Sequence, residues 1–309
     1  MLQGNLTSTS EFYLVGFSDM PQWNGFFLAV FVFSYILTLF GNFVIILIII
    51  LDSSLHSPMY LFLCNLSILD IFCTSVTAPQ VMDLYSSMNY MISFSNCISQ
   101  VYFFLVFTNA EFFLLPVMAY DRYVAICCPL RYNVLMNNNV CIILALAPWA
   151  FGILDTLSYT ILTSRLSYLG SHVINHFFCD LTALMKLSCS DTSTIELITF
   201  VDGVLFGFVP FFLTLISYAY IIFSIVKIRS VHGRRKAFST CSSHLTLVVL
   251  FYGTIISMYM RPSSMYSPAQ DKLFAVFYTT VIPVVNPLIY SLRNQDVKNA
   301  FKRVILGAS

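Results

Sequence analysis

Long apolar runs alternate with short polar breaks along this chain. Seven of the runs have bilayer length: Phe26–Leu51, Pro58–Val81, Ile98–Ala125, Val140–Leu162, Leu197–Val226, Ala237–Met260 and Leu273–Leu292. A helix rising ~1.5 Å per residue needs about 20 such residues to cross ~30 Å of hydrocarbon. The first run holds no charged residue, and Ile98–Met118 holds only Glu111. After the seventh run the pattern changes. Val297, Ala300, Phe301, Val304 and Ile305 recur at helical spacing, with Lys298, Lys302 and Arg303 elsewhere on the surface. Asn294–Leu306 therefore reads as an amphipathic helix lying flat on a leaflet. The expectation is an all-α membrane protein. A tail (1–25) precedes a seven-transmembrane helix bundle (26–292), and a short amphipathic eighth helix lies in 293–309.

Composition excludes the main competitor. The chain has 309 residues, of which 58% are hydrophobic and 9% charged. Soluble domains carry about 25% charged residues. Buried helices of a large soluble protein would need a polar outer layer, which this sequence lacks. Net charge is +1, so nothing suggests a nucleic-acid partner. No repeat of roughly 20–50 residues interrupts the bundle, which reads as one integral domain. The first 25 residues lack the basic start and apolar stretch of a cleavable signal peptide, so the first span is expected to direct membrane insertion.

Charge sets the expected orientation. With the amino terminus outside, the inner segments hold Arg122, Arg131, Lys227, Arg229, Arg234, Arg235, Lys236, Arg293, Lys298, Lys302 and Arg303, which is 11 of the 15 Lys and Arg. Arg165, Lys186, Arg261 and Lys272 fall outside. The bias follows the positive-inside rule. The sequon Asn5-Leu6-Thr7 lies in the outer tail and is a candidate glycosylation site. Asn65-Leu66-Ser67 also matches, but it is inside the second span and is expected to stay unmodified.

Nine cysteines divide by topology. Cys97 opens the third span on the outer side, and Cys179 and Cys189 lie in the long outer segment before the fifth. A Cys97–Cys179 disulfide would tie that segment over the bundle in an oxidising compartment. The competing reading is a metal site from His172, His176, Cys179 and Asp180, which needs a free Cys179 thiolate. Cys127, Cys128, Cys141 and Cys241 lie at or near the inner side and are expected to be reduced. Cys64 and Cys73 read as packing residues in span two.

Polar groups inside the spans are costly and mark the bundle interior. Asp70 and Glu111, with Asn42 and Asn286, could hold Na⁺ or form a protonated hydrogen-bonded network. Asp155 and Asp202 lie nearer the outer end, with no role assigned. Asp121-Arg122-Tyr123 ends the third run at the water boundary, where a charged pair can form and break. Asn286-Pro287-Leu288-Ile289-Tyr290 interrupts the seventh, because proline removes a backbone donor. No catalytic triad, phosphate loop or metalloprotease motif is present, so no enzyme is expected.

The motifs, taken in order, resemble those of the olfactory receptors, a branch of the rhodopsin-like G-protein-coupled receptors. They are Gly41-Asn42, Leu55–Tyr60 (LHSPMY), Leu66-Ser67 to Asp70, Met118–Cys127 (MAYDRYVAIC), Ser217-Tyr218, Lys236–His244 (KAFSTCSSH) and Pro283–Tyr290 (PVVNPLIY). The resemblance runs essentially end to end. It implies a receptor in the plasma membrane, in olfactory cilia, with a small-molecule odorant and an olfactory stimulatory heterotrimeric G protein as partners and cyclic AMP as output. No cofactor is implied beyond the candidate Na⁺. It assigns coupling and switching to Asp121, Arg122, Tyr123, Lys236, His244, Asn286, Pro287 and Tyr290. It also implies a cavity beside Arg122 that accepts a helix of the G protein.

The ligand pocket is expected in the outer half. Phe104 lies 18 residues before Arg122, five helical turns or ~27 Å along the same side. Leu105, Thr108, Asn109 and Phe112 continue that face. The resemblance adds Leu205, Phe206, Tyr252, Ile255, Ile256, Tyr259 and Thr279. The set is mostly apolar and has no acid at position 104, which suits a small, mostly neutral hydrophobic ligand. Two positions depart from the family pattern. Pro116 stands where a small residue is usual, and should remove the backbone bond to Phe112. Leu169 stands where many members carry a cysteine, which leaves Cys189 without its usual partner. A seven-span transporter or channel is the alternative. It predicts a continuous polar path or paired interrupted helices.

Overall fold

A computed structural model describes residues 11–17, 21–168, 170–227, 230–259 and 267–306. Helices α1 (Asn24–Leu51), α2 (Pro58–Ser86), α3 (Phe94–Cys127) and α4 (Asn138–Ser164) follow in order. Helix α5 runs from Ser193–Asp202 through a π-helical turn, Gly203–Phe208, into Val209–Val226. Helix α6 is Val231–Tyr259. Helix α7 joins Pro268–Val276, a second π turn at Phe277–Val281, and Ile282–Arg293. Gln295–Leu306 is α8. All of α1 to α5 and α7 are long and apolar enough to cross a membrane, and α6 adds the apolar stretch His244–Tyr259. The chain folds as the seven-helix membrane bundle expected from its apolar runs.

Local chemistry sets the helix starts. Pro58 stands in the first turn of α2, where its missing N–H costs nothing. The Ser93 hydroxyl accepts from Asn96 N at 3.2 Å, and Asn137 Oδ1 from Val140 N at 3.1 Å, capping α3 and α4. Helix α2 runs past the predicted Val81 to Ser86, because Leu84 and Tyr85 are buried in the core. Helix α6 begins before the predicted Ala237, in the polar turn leading to it. The outward faces of the bundle stay apolar: Phe33, Phe40, Phe43, Ile50, Leu154 and Phe223 are all more than half exposed. In lipid this is their solvent.

Helix α3 packs against α2, α4, α5 and α6 and forms the centre of the bundle. Close approach of α4 depends on Gly152, since a Cβ there would lie 2.5 Å from the Val106 carbonyl oxygen. Trp149 Nε1 donates to Asn65 Oδ1 at 3.1 Å, so the inner sequon's side chain is used to join α4 to α2. Pro116 lies inside α3 as expected. The carbonyl it frees has a donor: Tyr252 of α6 bonds Phe112 O at 2.7 Å. Tyr252→Phe is therefore expected to cost about 1–3 kcal/mol in thermal unfolding, the price of a buried carbonyl left without a donor. In a Pro116→Ala background the loss should shrink, because the amide of residue 116 then supplies the bond.

One end of the bundle carries a sheet that the apolar pattern does not announce. Strand β1 (Glu11–Leu14) lies between β2 (Met91–Ser93), antiparallel, and β3 (Val173–Ile174), parallel. Strands this short show too few residues to reveal alternation. Phe12 and Leu14 are fully buried beneath it. Gly16 follows with φ +60, and a Cβ there would sit 2.9 Å from Leu84 and Tyr85 atoms. Lys272 of α7 donates to the Gly16 carbonyl at 2.5 Å.

The same end is covered by the segment between α4 and α5. Cys97 and Cys179 are joined by a disulfide, which leaves no Cys179 thiolate and removes the metal-site reading. Cys179 N donates to Gln100 Oε1 at 2.8 Å, while Gln100 Nε2 donates to Val76 O at 2.9 Å. Asp180 then caps a short helix, Leu181–Leu187. Cys189 is an exposed free thiol whose N–H donates to Ser167 O at 2.8 Å. Leu169 lies outside the described residues, as do Asn5 and Met260.

His176 is 1% exposed between Phe177 and Phe178. Burial pushes its pKa from 6.5 down to about 4. The unfolded chain takes up that proton near pH 6.5. Stability is thus complete above about pH 6.5, is lost as pH falls towards 4, and declines by about 3 kcal/mol in total. Thermal unfolding of detergent-purified protein from pH 7 to 4.5 should show this decline, and His176→Phe should flatten it.

Candidate functional site

Two cavities occupy opposite ends of the bundle. The first lies between α3, α4, α5 and α6, under the short helix, and leaves about 640 Å³ unfilled, part of it open to the surroundings. Of the residues expected there, Leu105, Thr108, Asn109, Phe112, Phe206, Ile255 and Tyr259 line it. Two turns of α3 supply the first four. The π turn of α5 brings Gly203, Phe206 and Gly207 to the same wall. Such turns place an extra residue in the helix and re-aim side chains.

Five expected residues lie elsewhere. Phe104 is 1% exposed and packs 5.3 Å from both the Phe178 and Tyr278 ring centroids. The disulfide-anchored segment fills the space it was expected to face. Leu205 points away and is 51% exposed, because the π turn puts Gly203 and Phe206 on the cavity side instead. Tyr252 packs behind the lining residue Phe112, with its ring 4.9 Å from Phe112 and 5.3 Å from Phe211. Ile256 is partly buried against the core. Thr279 belongs to a smaller cavity with Ser34, Thr74, Thr77 and Thr280.

The first cavity is more polar than expected. Asp155 of α4 and Asp202 of α5 line it, together with Tyr159 and Thr199. Asn109 Nδ2 donates to Asp155 Oδ2 at 2.9 Å, and Tyr159 OH to Asp202 Oδ2 at 2.6 Å. Both acids are visible in the sequence, but their meeting depends on the rotation of two helices. At the rim, Tyr259 OH donates to Asp180 Oδ2 at 2.9 Å, tying α6 to the covering segment.

Halfway along the bundle, Asn286 Nδ2 donates to both oxygens of Asp70, at 3.0 and 2.9 Å. Asn42 Nδ2 donates to Pro283 O at 3.2 Å, joining α1 to α7. Glu111 is buried as well, and Asn42 Oδ1 and Asn286 Oδ1 are buried without a donor among the described residues. This oxygen-rich set has the chemistry for either Na⁺ or a shared proton. Pro287 stands inside α7 one residue on.

The second cavity lies at the α8 end, lined by Tyr60, Arg122, Ala237, Cys241 and Asp296 among others. Arg122 pairs with its neighbour Asp121, Nε donating to Oδ2 at 2.8 Å. Asp121 is fully buried, and its other oxygen accepts from Tyr132 OH at 2.7 Å. Tyr132 opens a short helix, Tyr132–Leu135, and its role carried no signal in the sequence. Tyr123 is partly buried against the two hydrophobic clusters at this end of the bundle. Tyr218 OH and His244 Nδ1 lie 2.5 Å apart and link α5 to α6. Tyr290 is buried near the same level of α7. The Lys236 side chain lies outside the described residues. Arg303 of α8 pairs with Asp52 at 2.8 Å, fixing α8 against the α1–α2 turn.

Comparison with known proteins bears on this geometry. The family model described as "Olfactory receptor" matches residues 31–308. Olfactory receptor 5AR1 of Mus musculus is 49% identical over 304 residues, covering 97% of each chain. Olfactory receptor 5AR1 of Homo sapiens is 47% identical, again over 97% of each. Olfactory receptor 1E16 of Mus musculus is 46% identical over 98% of this chain and 97% of the relative.

Proposed function

The chain belongs to the olfactory receptor family, a family of receptors and not of enzymes, and on that footing we propose that it is an odorant receptor working as a two-state switch. A small, largely hydrophobic odorant binds in the first cavity. One arrangement of α3, α5, α6 and α7 holds it better, and that difference in affinity shifts the population. The inner ends of α5 and α6 then part from Arg122, and a stimulatory G protein of the olfactory type inserts a helix into the second cavity, raising cyclic AMP. In this reading the amino terminus is extracellular with Asn5 glycosylated, α8 lies on the cytoplasmic leaflet, and the protein resides in the plasma membrane of olfactory cilia. Na⁺ held by Asp70 and Glu111 would favour the resting arrangement.

One observation supports this reading best. The two cavities are separate and are joined through α3 and α6, where Tyr252 bonds the carbonyl of Phe112, which lines the first, and Arg122 lines the second. In the described structure Arg122 is held by Asp121, and the α5–α6 link at Tyr218–His244 is closed, which fits a resting state. A carrier would need a passage where Phe112, Phe251 and Tyr252 pack with ring centroids 4.9–5.9 Å apart. A cyclic-AMP reporter screened against a diverse odorant panel, with surface expression measured in parallel, tests the proposal. At least one small odorant should raise cyclic AMP in a dose-dependent way, and silence across the panel from well-expressed protein would sink it.

A further inference from the structure

Two carboxylates share the first cavity, and among the described residues no cationic side chain lines it. Asp155 comes from α4, and Asp202 ends the first segment of α5, just before the π turn. Each uses one oxygen for a neutral donor, Asn109 to Asp155 at 2.9 Å and Tyr159 to Asp202 at 2.6 Å. Those bonds fix the direction of the carboxylates and bring no positive charge. Among the described residues, no Lys, Arg or His lines the cavity and neither acid is part of a salt bridge. Acids inside membrane helices are expensive unless something of opposite charge meets them. The facing wall is aromatic: Phe151 lies 4.1 Å from Phe113 and 4.7 Å from Phe206, centroid to centroid. Aromatic faces attract cations, and their bodies accept hydrocarbon.

We infer that this cavity selects a small organic amine, with its ammonium between Asp155 and Asp202 and its hydrocarbon part against Phe113, Phe151 and Phe206. The inference rests on the cavity being the ligand site proposed above, and it replaces the neutral ligand that the Phe104 position suggested. An ammonium carries a charge and several donors, enough to bond both free carboxylate oxygens. An alcohol of the same skeleton has one hydrogen to give and leaves the acids uncompensated. A carboxylic acid ionises and is repelled.

The test uses matched pairs on one skeleton, 2-phenylethylamine with 2-phenylethanol and cyclohexylamine with cyclohexanol. Cyclic-AMP dose–response curves are read in cells, and thermal shifts at pH 7 on purified full-length protein. The amine should act at a concentration at least about tenfold below its alcohol, as the loss of one charge-assisted contact implies. Asp155→Asn and Asp202→Asn should each raise the amine's half-maximal concentration about tenfold or more, while any alcohol response stays within about threefold. Surface staining and the ligand-free melting temperature, both expected close to wild type, show that the variants fold. If alcohols act as well as amines, or if both variants shift the two equally, the inference falls while the receptor reading stands. If amines stabilise the purified wild type but not Asp202→Asn, and no compound raises cyclic AMP, the amine site stands and the signalling reading falls. If neither signal nor thermal shift appears, the inference is overturned.

Discussion

Arg122→Ala is expected to abolish the odorant-evoked cyclic-AMP response while the protein still reaches the cell surface and binds its ligand. Arg122 lines the second cavity, about 2.5 turns of α3 beyond Phe113, the last α3 residue of the first cavity, and is not among the residues that line the first. In the proposed switch Arg122 meets the inserted G-protein helix, and removing one partner of such a desolvated contact costs about 2–5 kcal/mol, which is at least about 30-fold in coupling. Asp121 loses its arginine but keeps the Tyr132 hydroxyl at 2.7 Å, so the bundle should survive with surface expression reduced no more than severalfold. Arg122→Lys keeps a cation but loses the fork that reaches Asp121 from two nitrogens, and should fall between wild type and alanine. Signal normalised to surface receptor, with ligand-induced thermal shift measured alongside, separates the outcomes. A carrier would keep its flux in the alanine variant.

Cys97→Ser or Cys179→Ser should remove the protein from the surface altogether. The bridge closes a separation of 82 residues. Restraining a loop of that length in the unfolded chain is worth about 4 kcal/mol. The local consequence is larger than the average case, because the bridge anchors the covering segment. Phe177 and Phe178 are fully buried beside it, and Asp180 next to Cys179 holds both the short helix and Tyr259. Once the anchor is lost, those rings lose their cover and the cavity rim opens. Surface staining against total protein, in single and double serine variants, should show the same near-complete loss in all three. Cys189→Ser should behave differently. That thiol is exposed and free, so surface staining should be unchanged or rise.

The parts of the fold that depend on local pattern were readable in the sequence. A run of bilayer length is visible residue by residue, and the adjacency of Asp121 and Arg122 is written in the chain. Pro116 announced the missing bond to Phe112, though nothing pointed to Tyr252 as its replacement donor, some 140 residues away. The first cavity was half legible. Helical spacing on α3 puts Leu105, Thr108, Asn109 and Phe112 on one face, and all four line the cavity because α3 is regular there. It misplaced Phe104, since spacing cannot see the Phe177–Phe178 segment folded above it. Leu205, which the resemblance supplied, turns outward because the π turn at Gly203–Phe208 shifts which residues of the helix face the cavity. The three short strands, and the meeting of Asp155 with Asp202, arise only when separate elements pack.

In the proposed switch the first cavity and the second are energetically one system. The direct measurement is the affinity of purified protein for its activating odorant with and without nucleotide-free stimulatory G protein. Linkage requires that each partner favour the other by the same factor, typically about 5–150-fold. The G protein should tighten odorant binding within that range in the wild type and leave it unchanged in Arg122→Ala. An odorant affinity that stays constant when saturating G protein is added to the wild-type receptor would contradict the account.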